Sequence, residues 1–570
     1  MTNFFILGKN INGVKMKKKI ILILIPIIII LLYFKENIGN YKRIIILDED
    51  NNEIVYVINN KYSNNIDINK IDSKYISYIL EIEDKSFYKH NGININSTIR
   101  AIYNNLFNNY TSGGSTITQQ MIKNIYLNNN KTIKRKVNEF LLAYKLDRLF
   151  SKEEILSDYL ASIYFGNNIY GLANASRYYY NKEYYNLNDL ELISFIALWN
   201  SPSIYSNNID KWNEKKNSIV NILFNNGLLN DIEYNKLLIP IKLDININYI
   251  PSNRLFFIDQ VMKEFNSLNK INSKYDIYYI YTDYKKELEN INSKYQFSML
   301  VTNKNGYIIT SIGNNNYYNS SYSICMNSKR DIGSTIKPLL YYEAIRCNME
   351  NRVYNSDIIS IPYNNEIITI ENNNNRYYGN IDLKTAIAVS DNPYAILTHL
   401  NLGMNTLSYH LKKYNIESNP YPSLALGSIG VSLFDLNRIY TQFFSNGYYI
   451  DTKYIKGIKV NNKLYNNYIK KEELLKKNIC IKVKEYLKYP FDYNIKYSTL
   501  GYLGRRIDEA MYGKSGSTLY DSYVIGFNED YLISIWSGNM DGSPIDSNSL
   551  INKELFLSTY NIIKKASAYS

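Results

Sequence analysis

Cysteine and histidine are scarce in this chain of 570 residues, which has three of each. Cys325, Cys347 and Cys480 are odd in number and far apart, so neither a disulfide framework nor a cysteine metal site is indicated. The histidines are His90, His399 and His410. His399 lies in the apolar run YAILTHLNLGM and is expected as a packed helix residue, His410 as a surface one. No zinc-finger spacing and no stripe of basic residues is present, which argues against nucleic acid as a partner despite a net charge of +13. Asn, Ile, Lys and Tyr are all over-used, so part of that charge is compositional. Internal repeats are absent too. What is there, 45% hydrophobic and 21% charged residues, belongs to a folded chain whose length calls for about two to four domains.

One long apolar run does occur. Met16 to Phe34 reads MKKKIILILIPIIIILLYF, a lysine cluster followed by fifteen uncharged residues, Ile20 to Phe34. At about 1.5 Å per residue these fall slightly short of a hydrocarbon core of about 30 Å, and Lys17 to Lys19 and Lys35 can snorkel to close the gap. A secretory signal peptide also has a short apolar region, but no small-residue cleavage site follows in FKENIGNYKRII. The expected organisation is a cytoplasmic tail over 1–15 and a single transmembrane anchor over 16–36, with Met16 a second candidate start. The positive-inside rule then exports everything beyond the anchor.

Residues 71–225 read as helical. In IKRKVNEFLLAYKLDRLF the positions Ile133, Val137, Phe140, Leu141, Tyr144 and Leu149 follow helical spacing and define one apolar face, while Arg135 and Glu139 share a polar one. The YYY run at 178–180 is expected as core and membrane-facing aromatic rather than as a binding platform. Residues 226–290 are charged, Asn-rich and without a motif, and are expected as a linker. From 297 the pattern changes. FSMLVTNKNGYIITSIG is a β-hairpin signal around Asn305-Gly306, and DSYVIGF and YLISIWSG are two further strand-like runs.

Two sets of motifs carry chemistry. The first begins with EDKSFYKHNG (Glu83 to Gly92), continues with GGSTITQQMIKN (Gly113 to Asn124) and RKVNEFLLAYKLDRLFSKEEILSDYLASIYFGNNIYGLANAS (Arg135 to Ser176), and ends in ALWNSPSIYS (Ala197 to Ser206). Singly each has a bland explanation, such as a helix cap or a surface ion pair. In this order and spacing they resemble glycosyltransferase family 51, the peptidoglycan polymerases. The resemblance implies that Glu83 is the base that deprotonates the attacking sugar hydroxyl. Lys123, Arg135 and Lys136 would stabilise the departing lipid pyrophosphate, and Glu139 would orient the donor and these cations. Single displacement with inversion is then the expected outcome. Ser115, Thr116, Gln119 and Gln120 would line the cleft; Asp84, Phe87 and His90 match the family pattern around the base, His90 positioning the loop by hydrogen bonds. Ala161 stands where the family has Asn. A divalent cation, Mg2+ or Mn2+, is compatible with glycosyl transfer, but no metal ligands are assigned.

The second set is RDIGSTIKPLLYYEAI (Arg330 to Ile345), SDN (Ser390 to Asn392) and KSGST (Lys514 to Thr518). Ser334 and Lys337 have Ser-x-x-Lys spacing, which places them on one helical face. Pro338 suits a first turn, putting Ser334 at the positive end of the helix dipole. Together the three motifs resemble the penicillin-binding transpeptidases and serine β-lactamases. The resemblance implies Ser334 as the acylated nucleophile, Lys337 as its base and Ser390 as proton shuttle. Asn392 would contact the substrate amide, and Lys514 with Gly516, Ser517 and Thr518 the terminal carboxylate. Backbone N–H groups of Ser334 and Ser517 would form the oxyanion hole. Asp331 and Ile332 depart from the family's flanks, Ile332 standing where proline is usual.

A chain with both sets behind one anchor is similar to the class A, bifunctional penicillin-binding proteins. The fold this implies is multidomain: a transmembrane helix, a mainly α, lysozyme-like glycosyltransferase domain over 41–225, the linker, and an α/β transpeptidase domain over 291–570 with helices around an antiparallel sheet. The implied partners are lipid II and nascent peptidoglycan, membrane lipid, β-lactams as covalent inhibitors, and other cell-wall synthesis proteins. The implied place is the cell membrane, with the catalytic domains outside. Three alternatives use fewer of the motifs. In one, only the polymerase works and the second domain is a scaffold. The second, a β-lactam sensor or β-lactamase, does not need the first set, and the third, a purely structural membrane protein, needs neither.

Overall fold

The helical periodicity before residue 225 and the strand-like runs after 297 mark the two parts of the computed structural model. It describes residues 42–58, 61–100, 114–126, 133–268, 277–539, 541–545 and 550–569. The tail and anchor expected over 1–36 lie outside the described residues. Among the described residues no helix is long and apolar enough to cross a membrane. Two compact units form, one built around Val55–Tyr249, the other around Tyr279–Ser570 and taking in residues from Ile250 onward.

The first unit is mainly helical: α1 (Ser73–Glu83), α2 (Ile117–Tyr126), α3 (Ile133–Leu146), α4 (Lys152–Ser162), α5 (Leu172–Tyr180), α6 (Asp189–Leu198) and α7 (Ile209–Asn225). Their starts are set locally. The Asp72 side chain accepts from Lys74 N at α1, and Ser151 with Glu154 and Asn188 with Glu191 form capping boxes at α4 and α6. Helix α6 is buried throughout Leu192–Leu198, as a helix apolar on all sides must be. Tyr179 and Tyr180 of the YYY run are core residues that meet the edge of Phe195, while Tyr178 is half-buried against Tyr249.

Helix α3 departs from the apolar face expected of it. Val137, Tyr144 and Leu149 are 40%, 42% and 52% exposed, whereas Glu139, Leu142, Ala143 and Leu146 are buried. The cause is a close approach: Gly92 has φ +76°, and a Cβ there would overlap the Ala143 carbonyl. The loop after α1 lies directly on the Ala143 side of α3 and turns Glu139 inward with it.

Residues 226–290 are not a featureless linker. They contain the helix Asp231–Leu237, then α8 (Ser252–Ser267) and the strand Ile277–Thr282, which pairs antiparallel with Ile455–Val460. Helix α8 buries Leu255, Phe256, Phe257, Ile258, Val261, Met262 and Phe265. It also buries Asn253, whose amide donates to the Glu289 and Ile291 carbonyls at 2.8 and 2.7 Å. A helix that buries polar residues on their own acceptors has no clean amphipathic period to read.

The second unit is built on an antiparallel sheet. Its strands are β1 (Phe297–Asn303), β2 (Ile308–Ile312), β7 (Tyr512–Ser517), β8 (Asp521–Phe527) and β9 (Tyr531–Gly538), in the order β7–β8–β9–β1–β2. Between β2 and β7 in sequence come the short strands β3 (Arg330–Asp331), β4 (Gly430–Val431), β5 (Tyr448–Ile450) and β6 (Lys471–Glu473). The same stretch holds the helices α9 (Lys337–Arg346), α10 (Leu383–Val389), α11 (Asn392–Leu402), α12 (Asn405–Lys412) and α13 (Leu433–Phe444). The last helix, α14 (Leu550–Tyr569), packs Phe556, Tyr560 and Ile563 into a core with Val301, Ile533 and Ile535. Helix α13 is tied to the sheet by Asn437, which accepts from Thr302 Oγ1 and donates to Ser534 Oγ, both at 2.9 Å.

His399 is buried in α11 as expected, but His410 is not a surface residue. It is 3% exposed and bonds the Glu343 carboxylate of α9, the helix that follows Ser334. Burial raises the Glu343 pKa, but His410 and Arg346 outweigh it and hold the carboxyl down to about 2. The stabilisation from this ionised group is present above the ordinary carboxylate range and is lost as pH falls toward 2. Glu343→Ala leaves His410 buried without its partner and is expected to cost about 3–5 kcal/mol. The thermal midpoint of this unit should then fall by roughly 10 °C in calorimetry; a shift below about 2 °C would mean the pair is not a structural tie.

Candidate active sites

In the first unit the end of α1 delivers two adjacent acids to different surroundings. Glu83 is half-buried, and each of its oxygens meets one neutral donor: Oε2 accepts from Gln120 Nε2 and Oε1 from Trp199 Nε1, both at 2.8 Å. Asp84 is buried, accepting from His90 Nε2 at 2.9 Å and from the Ile117 backbone N–H at 3.1 Å. It therefore ties the loop after α1 to the N-terminus of α2. Phe87 is fully buried under the Lys152 ammonium, which lies 4.6 Å from the ring centroid and donates to the His90 carbonyl at 2.7 Å.

Thr116 and Gln119, expected to line the cleft, are instead buried and capped on each other. Gln119 Oε1 accepts from Thr116 N, and Thr116 Oγ1 accepts from Gln119 N while donating to the Gly92 carbonyl at 2.7 Å. On α3, Lys136 donates to Ser115 Oγ at 2.7 Å and pairs with the buried Glu139. Lys123 stands exposed on α2 within electrostatic reach of Glu139, Arg135, Lys136 and Glu83. Desolvation lowers its pKa, Glu139 and Glu83 oppose the shift, and Arg135 and Lys136 add to it. Two carboxylates and three cations are thus brought together. Such an arrangement can take a proton from a hydroxyl on one side and receive an anionic leaving group on the other.

Trp199 escaped the motif-based selection of site residues. Its ring meets Tyr159 and Phe165 edge-on, at 6.3 and 6.0 Å between centroids, so the indole N–H is held in place by packing. One signal pointed to it: the chain has only three tryptophans, Trp199, Trp212 and Trp536. Ala161, the departure in the supporting motif, is buried in α4.

In the second unit Ser334 is half-buried in the turn Gly333–Ile336, which runs into α9 with Pro338 in its first turn. Gly333 has φ +54°, and a Cβ there would come within 3.0 to 3.3 Å of the Ser517 backbone. The turn that holds Ser334 therefore lies against the end of β7, which makes the Ser334 and Ser517 backbones neighbours. Ile332 is buried and donates its N–H to the Ile429 carbonyl at 3.3 Å, a bond that proline at this position could not make.

Lys337 is fully buried and donates to Ser390 O at 2.8 Å, Asp391 O at 3.0 Å and Asn392 Oδ1 at 2.8 Å. Burial pushes its pKa down to about 7, with Asp391 opposing. Lys514, also fully buried, donates to Ser390 Oγ at 2.7 Å and Ser515 O at 2.8 Å. Burial and the Lys337 charge hold its pKa well below the ordinary lysine range. Ser390 has φ +63°, a left-handed conformation rare for serine, and Asp391 beside it is a fully buried acceptor of Tyr394 N, Asn372 Nδ2 and Ser356 Oγ. Asn372 also accepts from Asn392 N at 2.7 Å. The Thr518 hydroxyl, expected at a substrate carboxylate, accepts from Tyr520 N and Asp521 N within its own turn.

Comparison with known proteins assigns a family to each part of the chain. The Transglycosylase family matches residues 50–224, and the penicillin-binding protein transpeptidase domain matches residues 297–519. Penicillin-binding protein 2D of Bacillus subtilis is 30% identical over 82% of this chain and 72% of its own length. The chain belongs to the class A penicillin-binding proteins. Penicillin-binding protein 1A of Clostridium botulinum is 26% identical over 88% of this chain and 68% of its own. In fold, the chain is similar to the crystal structure of penicillin-binding protein 1A from Haemophilus influenzae, with a TM-score of 0.58 at 14% identity, covering 93% and 92% of the two chains. Like other class A penicillin-binding proteins it is a bifunctional peptidoglycan synthase, a glycosyltransferase joined to a D-Ala-D-Ala transpeptidase. A scaffold-only second domain and a β-lactam sensor are thereby set aside.

Two outcomes follow from the geometry. Trp199→Phe keeps the ring packing but removes the donor to Glu83, and is expected to slow glycan polymerisation about tenfold. Penicillin acylation should be unchanged, and an unaltered polymerisation rate would leave Trp199 as packing alone. The second concerns pH: only a neutral Lys337 can accept a proton, so the rate of penicillin acylation should rise with pH through about 7. A rate flat from pH 6 to pH 8.5 would contradict that assignment.

Proposed function

We propose that Glu83 is the general base of glycan polymerisation, taking the proton of the acceptor sugar hydroxyl as it attacks the anomeric carbon of a lipid-linked donor such as lipid II. Lys123, Arg135 and Lys136 stabilise the pyrophosphate that leaves, Glu139 holds Lys136 in position, and the anomeric centre inverts. Gln120 and Trp199 orient the Glu83 carboxylate, while Asp84, Phe87, His90, Ser115, Thr116 and Gln119 hold the loop and helix ends around it. The observation that supports this most directly is the hold of Gln120 and Trp199 on Glu83 beside the Lys136–Glu139 pair, with Lys123 within electrostatic reach of both carboxylates. Among the described residues no three His, Cys, Asp or Glu side chains gather to hold a metal ion.

In cross-linking, Ser334 Oγ attacks the carbonyl between the two terminal D-alanines of a stem peptide as neutral Lys337 takes its proton. The N–H groups of Ser334 and Ser517 receive the oxyanion. Ser390, bonded to Lys514, passes a proton to the departing D-alanine, and the amine of a second stem peptide then resolves the acyl-enzyme. Asn392 contacts the peptide amide; Lys514, Gly516 and Ser517 face its terminal carboxylate, with Thr518 supporting the turn. β-Lactams acylate the same serine. The polymerising domain is taken as 41–225 and the cross-linking domain as 291–570, exported behind an anchor over 16–36 so that lipid-linked donor is drawn from the membrane.

Glu83→Gln is expected to lower polymerisation of lipid-linked precursor by a factor on the order of 100 or more while leaving fluorescent penicillin labelling intact. Ser334→Ala should do the reverse, abolishing label and cross-links but not glycan strands. Polymerisation retained by Glu83→Gln would mean that another group is the base.

A further inference from the structure

A cavity of about 740 Å3 opens in the second unit, and none of Ser334, Lys337, Ser390, Asn392, Lys514 or Ser517 lines it. Its walls are the β3–β4 pair, through Lys329, Gly430 and Val431, the N-terminal half of α13, the β5–β6 pair and the chain that follows α12. Four cations and four anions face it, but they are not equally satisfied. Asp451 pairs with Arg438 and Lys453, and Lys470 pairs with Glu472. Among the described residues Lys329, Lys413, Glu417 and Asp435 form no ion pair. Lys413 and Asp435 are half-buried and have no salt-bridge partner; Lys413 Nζ lies 5.0 Å from the Tyr409 ring centroid, and Asp435 Oδ2 accepts from Ser432 Oγ at 2.7 Å.

We propose that this cavity is a second, non-catalytic site for a stem peptide of the peptidoglycan strand. A peptide carboxylate meets Lys329 and Lys413, and the free amine of the diamino residue meets Asp435. The chemistry required is zwitterionic, and of the molecules the synthase handles, the stem peptide carries both charges on one short chain. This rests on the cross-linking function. The position favours coupling to the reaction: Asp331 pairs with Gly430, Ile332 N bonds Ile429 O and Gly333 N bonds Gly427 O, so the ribbon that walls the cavity continues directly into the nucleophile turn. A stem held there tethers its glycan strand beside Ser334 and raises the local concentration of neighbouring stems to the millimolar range expected of short tethers, about 1 mM or above.

The full-length protein, acylated at Ser334 with penicillin, is titrated by calorimetry with a soluble stem tetrapeptide that ends in a single D-alanine. Saturable binding to the acylated protein is expected. Lys413→Met and Asp435→Asn should each weaken it about tenfold, and acetylating the peptide amine should weaken it by the same factor as Asp435→Asn. Both variants must still be acylated by penicillin at the wild-type rate, which reports that they are folded. Absence of saturable binding to the acylated protein, binding that penicillin abolishes, or wild-type affinity in either variant overturns the proposal while the cross-linking reading stands. If penicillin does not acylate the wild type, that reading fails and the proposal falls with it.

Discussion

A carboxylate removed from water must be surrounded by donors, and both catalytic regions depend on one that is. Asp84 and Asp391 each adjoin a reactive residue in sequence, Glu83 in one case and Ser390 in the other. Each is buried, and each joins a donor close by in sequence to donors from a more distant segment. Asp84 gathers the His90 ring and the first N–H of α2; Asp391 gathers Ser356, Asn372 and the start of α11. Leaving such a group unpaired costs several times what a single hydrogen bond contributes, so these segments cannot drift independently. The neighbouring reactive residue inherits that rigidity. Glu83 and Ser390 are placed by the demands of the acid beside them as much as by their own contacts.

The residues proposed to carry chemistry could be picked out in the sequence because their spacing is short and local. Ser334 and Lys337, or Glu83 and Asp84, are fixed relative to each other by one turn of backbone, and the two hairpins after residue 297 by alternation and turn residues. What remained hidden was every partnership made across long separations. Trp199 reaches Glu83 from 116 residues away, and Glu343 reaches His410 from 67. Neither distance leaves a mark on local periodicity. The cleft residues Thr116 and Gln119 belong to the same class: their type announced a polar role, but not that the role would be to cap one another.

Helix α3 shows how a functional residue can invert a pattern. Amphipathicity assigns the apolar stripe to the core and the charged stripe to water. Here Gly92 presses the loop after α1 onto Ala143, so the face that carries Glu139 goes inward and Val137 and Tyr144 stay outside. Glu139 is tolerated there because Lys136 accompanies it, and Lys136 in turn reaches Ser115 at the start of α2. A period count cannot separate a helix that faces its core from one that faces its active site, since both have two stripes. The contact of a single glycine decides between them.

The two sites also solve opposite problems with the same side chain. An anionic leaving group needs cations that remain charged: Lys136 is exposed, and the desolvation that lowers Lys123 is opposed by Glu139 and Glu83. Acyl transfer needs an amine that is neutral near physiological pH, and Lys337 and Lys514 are sealed from water and set against each other. Burial lowers Lys337, and burial together with the Lys337 charge lowers Lys514, so neither amine of the pair is favoured in its charged form. The acceptors bonded to Lys337 are two backbone carbonyls and an amide oxygen rather than a carboxylate, and the Asp391 charge that opposes the shift acts on it without a direct bond. In this chain the choice between a lysine that binds an anion and a lysine that accepts a proton is made by its access to water.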